Sequence, residues 1–522
     1  MTVVGHVFAE GNGNWTHLAN TVLPGYVSNS LILMVGVGTL STVLGVGTAW
    51  CVSTLAFPAR KTLAWAQLLP LAVPSYILAY CYTDLLEFAG PVQTTIRTLF
   101  DLDPRHFGFP EIRSLGGAIV VLSLVLYPYT YLLTRAAFNN RSISALEAGR
   151  TLGCSTVAVF WRVALPLARP AILAGLALVL METLADFGAV EYFGVATFTT
   201  GIFRTWFGLF DATAALQLSA VLLVFVVVLL ALERYSRSQS RFHETSERVQ
   251  NANLIPLTKG TRWLVCLLCA LPVVLGFLIP ALQLVWHASS RWAALFEPEF
   301  IGLVLNSVSL AATAALVILV PAALLVMAQR SQPNRLVQSA IRFSTSGYAI
   351  PGTVVALAVL IPFGAFDNAV DTAATRLFGV NTGLLLSGTL FTLIFAYSVR
   401  FLTAAFNTLE SGLAQIKPSI EESAYTLGAS KRRLLTAVYI PIMRGSVLTA
   451  ILIVFVDTLK ELPATLVLRP FNFNTLAVKT YELASDERLH EAALPALAIV
   501  AAGLIPVMLI SKGIQRTERG VI

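Results

Sequence analysis

The sequence predicts an all-α integral membrane protein, and three observations carry that prediction. Of 522 residues, 56% are hydrophobic and only 12% charged, where charged residues make up about a quarter of a soluble chain; the mean hydropathy is +0.76. Apolar runs long enough to cross a bilayer, about 20 residues each, recur along the whole chain. The basic residues between those runs collect in alternate loops.

Taken in order, residues 1–59 contain no Lys or Arg, so no charged segment introduces a signal peptide and the N-terminus is expected outside. Spans are predicted at 28–56, 63–85, 115–134, 168–190 and 213–233. A polar, basic stretch at 234–262 follows, then spans at 263–287, 303–328, 345–364, 383–402, 446–466 and 491–511. That makes eleven, five and six. If the chain starts outside, 25 of its 35 basic residues fall in inside loops, nine in outside loops, and Lys460 within a span, which is the positive-inside asymmetry. The C-terminus is then cytoplasmic. The net charge of +7 is therefore a matter of membrane orientation, not of nucleic-acid binding. Domain boundaries follow: 1–235, a cytoplasmic linker at 236–262, and 263–522. Outside segments 86–114, 191–212 and 467–490 carry aromatics and charges and offer surfaces to an external partner. The cysteines (Cys51, Cys81, Cys154, Cys266, Cys269) are scattered and imply no disulfide framework; Cys266 and Cys269, inside a span, read as small packing residues. The six histidines (His6, His17, His106, His243, His287, His490) are isolated in sequence.

One loop occurs twice. Ser144 to Ser155, closing on Val163-Ala164-Leu165-Pro166, matches Ser419 to Ser430, closing on Val438-Tyr439-Ile440-Pro441, at a fixed offset of 275. Ser144 with Glu147, and Ser419 with Glu422, fit a capping box, so a short helix is expected to start at each Ser. Gly153 and Gly428 stand where a helix ends with positive φ, and Ser155 and Ser430 can cap the next. Pro166 and Pro441 suit the first turn of the following span. The repeat reaches further: Trp15, Asn29-Ser30 and Pro74 match Trp292, Asn306-Ser307 and Pro351 at offset 277. Each half is thus one copy of a single domain, although the second has a span before its Trp292 that the first lacks.

After each loop comes a second matched motif, Glu182-Thr183-Leu184-Ala185-Asp186 and Asp457-Thr458-Leu459-Lys460-Glu461. Carboxylates four apart share one helix face. An ionisable group at mid-bilayer costs about 2.5–3.5 kcal/mol, so such residues usually face a bundle interior or aqueous path. Glu182, Asp186, Asp457 and Glu461 are therefore candidate translocation-path residues, expected to converge across a pseudo-twofold axis. The competing expectation is structural, with Lys460 pairing Asp457 or Glu461. Tyr192, Arg204, Lys479 and Tyr481 lie near by in sequence and are secondary candidates.

The repeated loop resembles the EAA loop of binding-protein-dependent ABC importer permeases, E-A-A-x3-G-x9-I-x-L-P, with departures at Gly149, Val163, Ser423, Val438 and Ile440. The resemblance implies two homologous ABC importer transmembrane domains in tandem, with Glu147, Ala148, Gly153, Pro166, Glu422, Gly428 and Pro441 forming elbows that dock on two ATPase subunits. It also implies six spans per half, so the first half reads as lacking its first, either truly or because translation is taken from an internal Met. The acidic motif with Phe187-Gly188 and Leu462-Pro463-Ala464-Thr465-Leu466 resembles the ferric iron permeases. That implies a bacterial inner-membrane permease receiving Fe3+ from a periplasmic iron-binding protein, with ATP bound by the partner subunit and no firmly bound cofactor or metal of its own. Carboxylate oxygens are hard ligands suited to such a cation. Alternatives are the same machine for thiamine, a polyamine, sulfate or a phosphonate, or an ion-coupled secondary transporter. No G-x4-G-K-[ST], H-E-x-x-H or G-x-S-x-G occurs, so nothing in the chain points to an enzyme or to catalytic residues.

Overall fold

A computed structural model describes residues 2–5, 14–103, 107–140, 155–238, 254–332, 334–414 and 416–518. Among them ten helices are long and apolar enough to cross a membrane, and one bent helix pair passes the same test jointly. In chain order the elements used below are α1 (Leu23–Thr54), α2 (Arg60–Ala66), α3 (Ser75–Leu86), α4 (Leu115–Asn140), α5 (Thr156–Ala185), α6 (Gly188–Tyr192), α7 (Phe198–Gly208), α8 (Ala212–Ser238) and α9 (Lys259–Ser289). They continue with α10 (Pro298–Ser331), α11 (Arg335–Ser344), α12 (Gly352–Phe378), α13 (Leu390–Ala414), α14 (Pro418–Thr426), α15 (Arg432–Leu459), α16 (Pro463–Leu468), α17 (Leu476–Ser485) and α18 (Leu489–Glu518). Helices are what an apolar chain must form in lipid, because they satisfy every backbone polar group within the segment.

The second predicted span, 63–85, is not one helix. It breaks by 93° between Ala72 and Ser75. Pro74 is the cause, since the residue before a proline is excluded from helical angles, and Val73 is extended at φ −97°, ψ 116°. The second half repeats this at Pro351, where Ile350 is extended at φ −84°, ψ 125°. The span expected at 345–364 accordingly starts at Gly352 and is preceded by the separate helix α11.

Prolines act differently elsewhere. The turns Phe160–Ala164, Val274–Leu278 and Leu435–Tyr439 are π-helical, and each lies just ahead of a proline: Pro166, Pro280 and Pro441. A helical proline collides with the carbonyl four residues before it. Here those carbonyls, of Arg162, Gly276 and Ala437, sit inside a widened turn that makes room. Pro166 and Pro441 therefore do not begin helices as expected. The helix after each elbow runs unbroken into its span.

The chain forms two compact units that do not follow the boundaries read from sequence. One comprises Val7–Trp292 with Thr480–Ile522, the other Met1–His6 with Ala293–Lys479. Helices α9 and α18, from the second half of the sequence, thus belong with the first half in space. Glycine makes these packings possible: a Cβ on Gly503 of α18 would stand 2.6 Å from the Ala72 carbonyl oxygen, and one on Gly276 of α9 would stand 2.9 Å from that of Leu124. Gln67 donates to the carbonyl of Cys269 on α9 at 2.6 Å and accepts from the buried Tyr127 hydroxyl at 2.8 Å. On α4, Thr130 lies between Gly45 of α1 and Gly175 of α5, the small-residue contact by which membrane helices approach closely. The far end of the linker is ordered too, Ile255–Pro256 pairing in parallel with Leu55–Ala56.

In the other unit α10, α13 and α15 enclose a core around Tyr397, Phe401 and Leu409. Tyr397 and Thr465 share a buried hydroxyl hydrogen bond of 2.6 Å. The internal repeat survives at this level of detail: Asn29 donates to the Ala196 carbonyl and its match Asn306 to that of Asn474.

Candidate functional site: the repeated elbow and the paired acids

The second copy of the repeated loop is described nearly whole. Helix α14 starts at Pro418, with Lys417 as its cap and no side-chain capping bond. The capping box expected from Ser419 and Glu422 does not form. Proline is pre-set for the first helical position, which makes Ser419 the second residue of the helix, where it cannot cap; its carbonyl instead accepts from the Ser423 hydroxyl at 2.7 Å.

The end of α14 matches expectation. Gly428 has φ +78°, its N–H bonds the carbonyl of Tyr425, and that of Ala429 bonds Ala424, a Schellman closure. Ser430 then caps α15 by accepting from Arg433 N–H at 3.3 Å, and Ser155 does the same for α5 from Ala158. The turn leaves Leu427 85% exposed, with Tyr425 and Ile420 also exposed. A large apolar knob next to the elbow glycine is a feature the motif spacing did not single out. Glu422 is exposed and Ala424 half-buried. In the first copy Ser144, Glu147, Ala148 and Gly153 lie outside the described residues; Pro166 lies within α5.

The acid pairs do not each lie on one helix face. Helix α5 ends at Ala185, leaving Asp186 extended at ψ 134°, and α15 ends at Leu459, so Glu461 lies beyond the helix. The following short helix takes each of these carboxylates as its cap. Asp186 Oδ1 accepts from the N–H groups of Ala189 and Val190 at 3.1 and 3.2 Å, and its other oxygen accepts from the Ser75 hydroxyl. Glu461 Oε1 accepts from Ala464 N–H at 3.2 Å and from Arg400 at 2.9 Å.

The parallel extends to what each acid touches. Ser75 follows Pro74 as Gly352 follows Pro351, and a Cβ on Gly352 would stand 2.2 Å from Arg400 Nη1 and 2.5 Å from Glu461 Oε1. One half uses a hydroxyl at this position. The other uses an ion pair and keeps the position bare to admit it. Arg400, counted from sequence among the inside-loop cations, is therefore within α13 and only 13% exposed, against 5% for Glu461. The first acid of each pair, Glu182 or Asp457, remains on its helix, and Asp457 pairs with Lys460 at 3.2 Å.

The secondary candidates are engaged structurally. Arg204 holds both oxygens of Glu191 at 3.1 Å, and Lys479 pairs with Glu299 at 3.1 Å. The Tyr192 ring packs against Tyr80 with centroids 4.4 Å apart, and Tyr481 packs against Phe187. Burial holds both phenols above their usual range, so neither supplies an anionic oxygen at neutral pH. The histidines are not all isolated: His287 Nδ1 lies 2.9 Å from His490 Nδ1, and its Nε2 lies 3.0 Å from Asp84. Sequence distance hid that contact.

Comparison with known proteins agrees with the duplicated architecture. The family described as binding-protein-dependent transport system inner membrane component matches twice, over 41–239 and 320–518. The Fe(3+)-transport system permease protein FbpB 2 of Haemophilus influenzae is 26% identical over 93% of this chain and 89% of its own length. Other relatives align with only part of the chain: the molybdenum transport system permease protein ModB of the same organism is 28% identical over 38% of this chain and 86% of its own length. The spermidine/putrescine transport system permease protein PotB of that organism is 32% identical over 35% of this chain and 63% of its own length. With two family matches that together take in well over half of its residues, helices spanning the membrane many times and an elbow closed at Gly428, the chain belongs to the inner-membrane components of binding-protein-dependent ABC transport systems.

Proposed function

We propose that the chain is the membrane-spanning permease of an ATP-driven importer that translocates Fe(III) handed over by a periplasmic iron-binding protein, with hydrolysis supplied by two separate ATPase subunits. The observation that carries this reading is end-to-end similarity to a ferric permease, over 93% of the chain. The elbow at Gly428, with exposed Leu427 and Tyr425, is the surface offered to one ATPase subunit, and the sequence around Glu147 and Gly153 offers the other. Glu422, Ala148, Pro166 and Pro441 belong to the same repeated motif. No active site of its own is assigned to the chain. Its N-terminus lies outside and its C-terminus in the cytoplasm. Glu182 and Asp457 are the acids proposed to meet the path, whereas the capping bonds of Asp186 and Glu461 favour a supporting role for those two.

The test is uptake of radioactive iron into proteoliposomes holding the permease, its ATPase and the binding protein. Iron accumulation that needs ATP, is not competed by molybdate or spermidine, and falls in Glu182→Ala and Asp457→Ala supports the reading. Competition by either solute moves the assignment to another cargo of the same machine. Uptake without ATP overturns it.

A further inference from the structure

At the elbow the two halves differ in sequence in a way that the repeat conceals. Arg330, in the last turn of α10, donates from Nε to Glu421 Oε1 at 2.8 Å, and its Nη2 lies 2.7 Å from the same oxygen. Nη2 also donates to the Ile416 carbonyl at 3.0 Å, in the segment leading into α14. The pair is largely screened from water, with side chains 27% and 18% exposed, and buried Tyr439, in the π-helical turn below, lies against the same carboxylate. One carboxylate thus ties α14 to α10, the first span of its compact unit, and to the root of α15. Neighbouring Gln329 adds a bond to Glu410 of α13 at 2.8 Å.

The matched positions in the first half carry none of this chemistry. At offset 275 Glu421 corresponds to Leu146 and Tyr439 to Ala164; at offset 277 Arg330 corresponds to Ser53, and no Lys or Arg occurs anywhere in residues 1–59. A chain of two identical subunits could not make this distinction. Fusion allows it.

We infer that Arg330 and Glu421 are positioning residues that lock the second elbow to its transmembrane domain, so that the two ATPase docking loops of this chain transmit motion unequally, the second through an ion pair. The inference rests on the proposed importer function for its meaning. A charge-assisted contact holds the elbow in one orientation, and force applied at Leu427 then reaches α10 and α15 together.

The test measures iron transported per ATP hydrolysed in the reconstituted complex. Glu421→Gln is expected to lower that ratio about fivefold, the lower end of ordinary coupling free energies, while ATPase copurification persists. Arg330→Glu combined with Glu421→Arg is expected to recover most of it. A cargo-independent readout accompanies this: with Leu427→Cys as a label, maleimide reaction above the background of the native cysteines is expected to quicken in Glu421→Gln. An unchanged ratio with unchanged labelling overturns the inference, as does a swapped variant no better than the single one. Should Glu421→Gln not reach the membrane, Arg330→Lys keeps the charge but loses the second contact and is expected to show the same effects at reduced size. If wild-type protein moves no iron, the importer reading fails, while labelling still decides the clamp.

Discussion

At the scale of single residues, two of the four candidate path acids, Asp186 and Glu461, are held by local bonds. Arg400 and Glu461 are the sharpest case, because breaking a buried pair strands the surviving charge. Arg400→Met alone is expected to cost about 3–5 kcal/mol, and Arg400→Met with Glu461→Gln much less; thermal unfolding of the detergent-purified variants checks both. Asp186 makes a similar case without a cation. Asp186→Ala is expected to destabilise by about 1–2 kcal/mol through loss of the cap, whereas Asp186→Asn keeps an acceptor oxygen and loses less; the same melting measurement separates them. Gly428 is constrained by φ rather than by space, since nothing lies within 4 Å of a Cβ placed there. Gly428→Ala should therefore cost about 1–2 kcal/mol of backbone strain and weaken ATPase copurification, and Gly428→Asn should be milder.

At the scale of elements, prolines decide where the helices stop. An extended residue before Pro74 or Pro351 breaks the chain, whereas Pro166, Pro280 and Pro441 are absorbed by π-helical turns. The difference is whether the preceding turn can widen or the preceding residue leaves helical space altogether. Pro441→Ala removes the reason for the widened turn. Reverting to a regular α-helix would rotate the elbow relative to its span by roughly one residue, 100° at 3.6 residues per turn. The expected result is a protein that melts no lower than wild type but imports less iron, checked by pairing unfolding curves with uptake. The apolar runs, the glycine at the elbow and the serine caps at Ser155 and Ser430 were all legible in the sequence, because each depends on neighbours a few residues away. The start of α14 was misread for the same kind of reason. Pro418 competes with Ser419 for the helix start, and proline wins because it loses no hydrogen bond there.

At the scale of the whole molecule, the compact unit built on the first half takes in α9 and α18. Residues 1–238 expressed alone should therefore be degraded by trypsin in membranes, and coexpression with 254–522 should restore a resistant fragment. Equal resistance with and without the second fragment would argue against the shared unit. By itself the sequence determined the membrane class, the duplication and the positions of the acids along the chain. Hydropathy, charge placement and fixed-offset repeats are properties of the chain as a string, and lipid leaves an apolar string little choice but helices. Only the tertiary structure decided what the charges touch: Glu461 with Arg400, Glu421 with Arg330, His287 with His490. Those partners lie tens to hundreds of residues apart, and pairing across such distances is set by how helices pack, to which local pattern is blind.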